Sequence, residues 1–420
     1  MTITTNNIPT TKNTPSMTPF LIIFAGQAIS LFGSELVQFA LIWWLTQTSG
    51  SATTLAIASM VGLLPTVFLG PFAGALVDRW NRRAVMMVAD GAIALATVGL
   101  AALFALGIVQ VWHVYVLMFV RALGGAFHWP AMQASTTLMV PEKYLSRVAG
   151  MNQALRGITN IAMPPLGALL LTLAPLSTIL AIDVVTALLA IVPLMFVLVP
   201  QPARARREDE KPTSVWADMR EGIRFVWGWR GMAILIGIVS LLHFLAAPAF
   251  ALTPIVVTVY FGKGALELAW MQSASGIGLL AGGLLLGAWG GFKRRIVTVL
   301  LGISLMGACL AVIGLAPVTA FWVAVGVMFC TGVLASMVMG SFQAVQQAIV
   351  PPGLQGRVFA LARSGMDVMS PVGLVVAGPV ADAMGVQGWY LLTGIVMVMM
   401  AMGSFLVPAL MKLEMRDKNE

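Results

Sequence analysis

The sequence predicts an all-α integral membrane protein, with twelve transmembrane helices in two pseudo-symmetric six-helix bundles. Three features carry that expectation. Charged residues make up 10% of the 420 positions, apolar residues make up 59%, and the apolar residues gather in runs separated by short polar breaks. A soluble chain carries roughly a quarter charged residues, so there is too little polar surface here to coat a water-facing body. Disordered chains, nucleic-acid-binding domains and most soluble enzymes are excluded on the same ground.

The apolar runs lie near 20–45, 54–77, 84–107, 112–139, 145–173 and 177–199, and then near 232–259, 267–290, 296–316, 319–348, 358–380 and 389–411. Each is long enough to cross about 30 Å of hydrocarbon, where a backbone without water must satisfy itself as a helix. Residues 1–19, rich in Thr, Asn and Pro, lack the apolar stretch of a cleavable signal and read as a disordered cytoplasmic tail. The expected domains are a bundle over 20–199, a connection over 200–231, a second bundle over 232–411 and a tail over 412–420.

The net charge of +8 does not mark a nucleic-acid partner, because the basic residues form short groups between the apolar runs. Lys263 falls on one side of the membrane and Arg121, Arg156 and Arg363 fall within spans; every other Lys and Arg falls on the side shared by both termini. The positive-inside rule places that side in the cytoplasm.

The connection PQPARARREDEK is the one long linker. Behind Ser214, Val215, Trp216, Met219, Ile223, Val226 and Trp227 recur at helical spacing, with Asp218, Arg220, Glu221 and Arg224 on other faces. This pattern predicts an amphipathic helix on the inner membrane surface. An internal repeat supports the division into halves: Val140, Pro141, Arg147 and Val148 return half a chain length later as Val350, Pro351, Arg357 and Val358. Arg82 and Arg83 are likewise echoed by Arg294 and Arg295. Two parallel halves would enclose a central cavity suited to alternating access.

Cys309 and Cys330 both sit in apolar runs, so the sequence offers neither a disulfide framework nor a metal site. No Walker-type phosphate loop occurs, and no cofactor is expected.

The segment Gly74-Ala75-Leu76-Val77-Asp78-Arg79-Trp80-Asn81-Arg82-Arg83 resembles the Gly-x-x-x-Asp-Arg-x-x-Arg-Arg loop of the major facilitator superfamily, and Arg121-Ala122-Leu123-Gly124-Gly125-Ala126 is similar to its buried-arginine motif. Stretches such as AGQAISL (25–31), AFHWPAM (126–132), AIDVV (181–185) and GVQGWYLLTG (385–394) extend the resemblance to bacterial macrolide-efflux permeases of the twelve-span drug/proton antiporter branch. The antiporter motif of the fifth span is altered: the aligned positions are Gly150, Thr159, Met163, Pro164, Gly167 and Ala168, so three of five glycines are replaced. The resemblance implies a bacterial inner-membrane exporter of hydrophobic or amphiphilic compounds. Its expected partners are such a substrate, protons and the lipid bilayer, and it is expected to act as a monomer. An exporter of a siderophore or lysolipid and a membrane-embedded receptor stay open as alternatives.

A carboxylate at the inner end of one helix can bind the free amides at the start of a neighbour. The resemblance implies that Asp78, with Gly74, Arg79, Arg82 and Arg83 around it, latches the cytoplasmic side against the start of the eleventh span near Arg357. A tight turn with membrane anchors is the plainer reading.

Glu35, Asp90, Arg121, Arg156, Asp183, Arg363 and Asp367 lie inside spans. A lone charge at the bilayer centre costs at least about 2.5 kcal/mol, so each should meet a partner or a wet cavity. Gln27, Ser30, Ser34 and Gln38 form a polar stripe on the first span beside Glu35, and Arg121, Gly125 and His128 share a face of the fourth. Depth counting brings Glu35 and Arg121 to one level, where they are expected to meet. A glutamate whose surroundings change with conformation can carry a proton; a fixed ion pair and a cation-binding carboxylate are the other roles open to it. Gln153, Arg156 and Asn160 share one face of the fifth span, and Ser336, Gly340, Gln343 and Gln347 one face of the tenth, both expected at the cavity or at the interface between the halves. Arg363 and Asp367, four apart, are expected as a local pair among the secondary buried charges, with Asp90 and Asp183 pairing to unassigned arginines. His113 beside Trp112 reads as an interface anchor, and His128 and His243 as hydrogen-bonded packing residues or proton relays.

Overall fold

A computed structural model describes residues 17–77, 79–201, 215–351 and 354–414. The expectations for the tails before residue 17 and after residue 414, for Ser214 and the rest of 202–214, and for Asp78 lie outside the described residues. Among the described residues there is no strand. Twelve helices among the described residues are long and apolar enough to cross a membrane, which makes the chain a multi-pass membrane protein.

The first six spans are α1 (Met17–Ser49), α2 (Ala52–Val77), α3 (Arg82–Ala105), α4 (Val111–Met139), α5 (Leu145–Leu173) and α6 (Leu176–Phe196). Helix α7 (Val215–Gly228) lies in the long connection. Of the residues expected on its apolar face, Val226 is buried and Trp227 is exposed. The remaining spans are α8 (Arg230–Ala251), followed by the short turn α9 (Thr253–Ile255), then α10 (Ala265–Trp289), α11 (Arg295–Leu315), α12 (Phe321–Ile349), α13 (Gln355–Met384) and α14 (Val386–Phe405), with a last turn α15 (Pro408–Met411).

Local chemistry sets several of these boundaries. Asn81 begins α3 by accepting a hydrogen bond from the Ala84 amide at 3.1 Å. Gly290 ends α10 in the left-handed region at φ 78°, where a side chain would be strained. The seventh span, expected as one run over 232–259, is broken instead: α8 stops at Ala251, and a π-helical turn over Val256–Tyr260 follows α9. Pro254 has no amide with which to continue the ladder, and Tyr390 of α14 donates to the Ala249 carbonyl at 2.5 Å.

Small residues let the helices close up. A Cβ on Gly26 or Gly33 of α1 would strike α6, one on Gly278 or Gly282 of α10 would strike α12, and one on Gly307 of α11 would strike α14. The spans alternate in direction, so the bundle has a linker side, where α7 lies, and a far side.

Candidate transport site

On the first six spans the buried charges meet in a network. Arg121 of α4 places Nη1 2.8 Å from Asp183 Oδ2 on α6 and donates from Nη2 to the Ser34 carbonyl at 2.9 Å. Ser34 Oγ donates to the other oxygen of Asp183 at 3.1 Å. Each partner of this pair has what a charge in hydrocarbon needs. The expected meeting of Arg121 with Glu35 is therefore corrected: Arg121 pairs with Asp183. Ser34 and Glu35 are successive residues, about 100° apart around α1. Ser34 faces α6, which turns Glu35 away from it.

Asp90 of α3 accepts from Gln27 Nε2 at 3.0 Å and lies 3.4 Å from His128 Nε2. The arginine expected for Asp90 is thus a glutamine and a histidine. His243 Nδ1 lies 2.9 Å from the Val239 carbonyl one turn back, and the ring of His113 lies tilted against that of Trp112, their centroids 3.7 Å apart.

Glu35 is exposed, and it lines three chambers. One, of about 390 Å³, lies within the first six spans among Gln27, Ser34, Asp90, Arg121 and His128. Another, of about 410 Å³, runs along Gln38, Ser59 and Arg121. The third, of about 330 Å³, crosses between the two sets of spans and is lined by polar Gln38, Asn160, Gln272 and Ser275 interspersed with apolar Phe39, Met163, Phe250 and Met328. No ion pair to Glu35 occurs among the described residues. Arg156 lies with its guanidinium 4.5 Å from the centre of the Trp129 ring. Gln343 is exposed on α12 and does not line these chambers.

Beside the described part of the Gly74–Arg83 loop, Arg82 is buried and donates to the Ala134 carbonyl at 2.9 Å, and Arg83 donates to the Met195 carbonyl. Both tie the loop to the ends of α4 and α6. Arg79 is exposed, and a Cβ on Gly74 would meet open space. Arg363 and Asp367 do pair within α13, at 3.5 Å. They are not buried: their side chains are 79% and 44% exposed.

That exposure has a cause. Gly356, Arg363, Asp367 and Gly378 lie on one face of α13 by helical spacing. At the far end of that face a Cβ on Gly378 would come within 2.9 Å of Thr53 Cα on α2, whereas at Gly356, Gly70 and Gly74 there is open space. The pair α5 and α10 behaves alike: Ser273 Oγ donates to the Ile161 carbonyl at 2.7 Å and Gly276 crowds Asn160, while about two and three turns on along the same face Gly283 and Gly287 meet nothing. The two sets of spans touch on the far side and part on the linker side. The chambers around Glu35 sit at the top of that opening.

Sequence reasoning missed Asp382. It closes the far side, accepting from Ser51 Oγ at 2.9 Å, the Ala52 amide at 2.7 Å and the Thr53 amide at 3.0 Å. Ser51 just before an apolar run is a readable helix-start signal, but nothing in the sequence reveals which acid comes to it.

The sequence model described as Major Facilitator Superfamily matches residues 23–374. Macrolide efflux protein A of Streptococcus pyogenes is 34% identical over 397 residues, which cover 94% of this chain and 98% of that protein. Multidrug efflux pump Tap of Mycolicibacterium fortuitum is 28% identical over 415 residues, covering 95% and 98%. Among solved structures, the nucleoside transporter NupG matches with a TM-score of 0.66 at 13% identity, covering 94% of this chain and 99% of that one. A bacterial homolog of the human lysosomal transporter Spinster, inward-facing and unoccupied, matches with a TM-score of 0.67 at 13% identity, covering 95% and 96%. At such identity the likeness is one of fold.

Proposed function

The chain belongs to the Major Facilitator Superfamily, and from that membership we propose that it exports hydrophobic or amphiphilic compounds of the macrolide and multidrug type by alternating access, driven by protons. Whole-length similarity to macrolide efflux protein A and to the pump Tap supports the substrate class. The linker side is cytoplasmic in this reading, as the basic residues there require, so the protein is inward-open here and lies in a bacterial inner membrane as a monomer.

One observation carries the coupling: Glu35 faces all three chambers and, unlike Arg121, Asp183 and Asp90, is held by no partner among the described residues. A carboxylate in that position can bind a proton from whichever side is open, and its charge changes what the chamber accepts. The crossing chamber is lined by polar and apolar side chains together, which suits an amphiphile. Asp78, with Gly74, Arg79, Arg82 and Arg83, serves as the latch that shuts the cytoplasmic side in the opposite state. Arg363 and Asp367 then close against α2.

Vesicles reconstituted with the purified protein test this reading. An imposed proton gradient should drive accumulation of a macrolide. A panel in which only siderophores or lysolipids move would shift the substrate class, and binding without movement would make the protein a receptor.

A further inference from the structure

Helices α2 and α13 pack together and run in opposite directions. At the far end the start of α2 meets the end of α13, and at the linker end these roles reverse. The far meeting brings the amide-rich start of α2 against the last turn of α13; at the linker end, where the two helices part, the start of α13 stands opposite the end of α2. In the sequence, an aspartate stands at both places where a helix ends: Asp382 in the last turn of α13, and Asp78 directly after Val77, the last residue of α2.

At the far end the contact is made. Both carboxylate oxygens of Asp382 are used, Oδ1 by the Ala52 amide and Oδ2 by the Thr53 amide and Ser51 Oγ. These are among the first donors of α2, which have no partner within their own helix. Ser51 Oγ in turn accepts from the Thr54 amide, at 3.3 Å. Gly378, one turn before Asp382, brings the backbone of α13 against Thr53, where a Cβ would be 2.9 Å from its Cα. The helices belong to opposite sets of spans, so these bonds must break if the far side is to open.

We propose that Asp382 is a conformational clasp: it holds the outer side shut in the inward-open form and opposes the Asp78 latch across the same pair of helices. The proposal rests on the alternating-access reading and its orientation. Because one rocking motion parts one end of α2 and α13 as it joins the other, the two aspartates cannot both be engaged, and their balance sets the ratio of the two states.

Double electron–electron resonance between spin labels on the far side reads that ratio. Labels at Leu106→Cys and Val318→Cys, both exposed positions beyond α3 and α11, report the outer opening in a background with Cys309→Ser and Cys330→Ser. In Asp382→Asn a neutral amide replaces one acceptor oxygen. The population with the longer distance should then rise roughly two- to fivefold relative to the shorter, the factor that an exposed charge at a helix start is worth. Ser51→Ala should move the ratio the same way by less, and it serves alone if Asp382→Asn does not fold. An unchanged distance distribution in the folded variant overturns the clasp. Asp78→Asn should shift the ratio the opposite way; a shift in Asp382→Asn with none in Asp78→Asn leaves the clasp standing and removes the inner latch.

Discussion

Arg121 and Asp183 form an ion pair of 2.8 Å between α4 and α6, and that pair leaves Glu35 alone at the cavity. Asp183 is almost fully buried and Arg121 nearly so. The two therefore fix helix packing, while the exposed glutamate one residue from their shared partner Ser34 is left to change its charge.

Removing one member of such a pair strands the other. Asp183→Asn should destabilise the protein by about 3 kcal/mol, read as a lower unfolding midpoint in detergent. The double change of Arg121→Met with Asp183→Leu should cost less than the single one. Glu35→Gln should stay within about 0.5 kcal/mol of the parent, because no partner among the described residues is lost.

The close helix contacts make a second expectation. A Cβ on Gly278 would stand 2.1 Å from the Phe329 carbonyl oxygen, so Gly278→Ala forces α10 away from α12. A loss of about 1–3 kcal/mol is expected. Gly326→Ala, where a Cβ meets open space inside α12, should hold or slightly raise the unfolding midpoint.

Twelve spans were legible in the sequence because hydrocarbon allows an apolar run little but a helix. The site was legible in part. Counting residues along a helix gives depth but not which neighbour a side chain faces, so Arg121 was expected at Glu35 when it points to Asp183. The same limit applies to Arg363 and Asp367, whose spacing revealed their pairing but not their exposure where α2 and α13 part. Gly26 and Gly33 carry no signal to distinguish them from Gly125, although only the first two touch another backbone. Asp382 was missed because its partners lie more than three hundred residues away in the chain.

Tyr390 is fully buried and bonds the Ala249 carbonyl and Thr253 where α8 breaks. In Tyr390→Phe the hydroxyl is gone and Thr253 remains as a side-chain donor to that carbonyl, at 3.3 Å. The expected cost is about 1 kcal/mol, measured by the same unfolding experiment.

Arg156 is held over Trp129 rather than by an acid. Trp129→Leu should release its guanidinium toward Glu35 and weaken binding of a cationic substrate about threefold, since an exposed cation–π contact is worth about 0.5–1 kcal/mol. Equilibrium binding of a cationic dye, compared with a neutral one that should be unaffected, checks this.

The most direct measurement compares the parent with Glu35→Gln in sealed vesicles, following macrolide accumulation under an imposed proton gradient and exchange without one. The account predicts that the variant accumulates no more than protein-free vesicles while exchange persists. Accumulation at the parent rate in Glu35→Gln would contradict it.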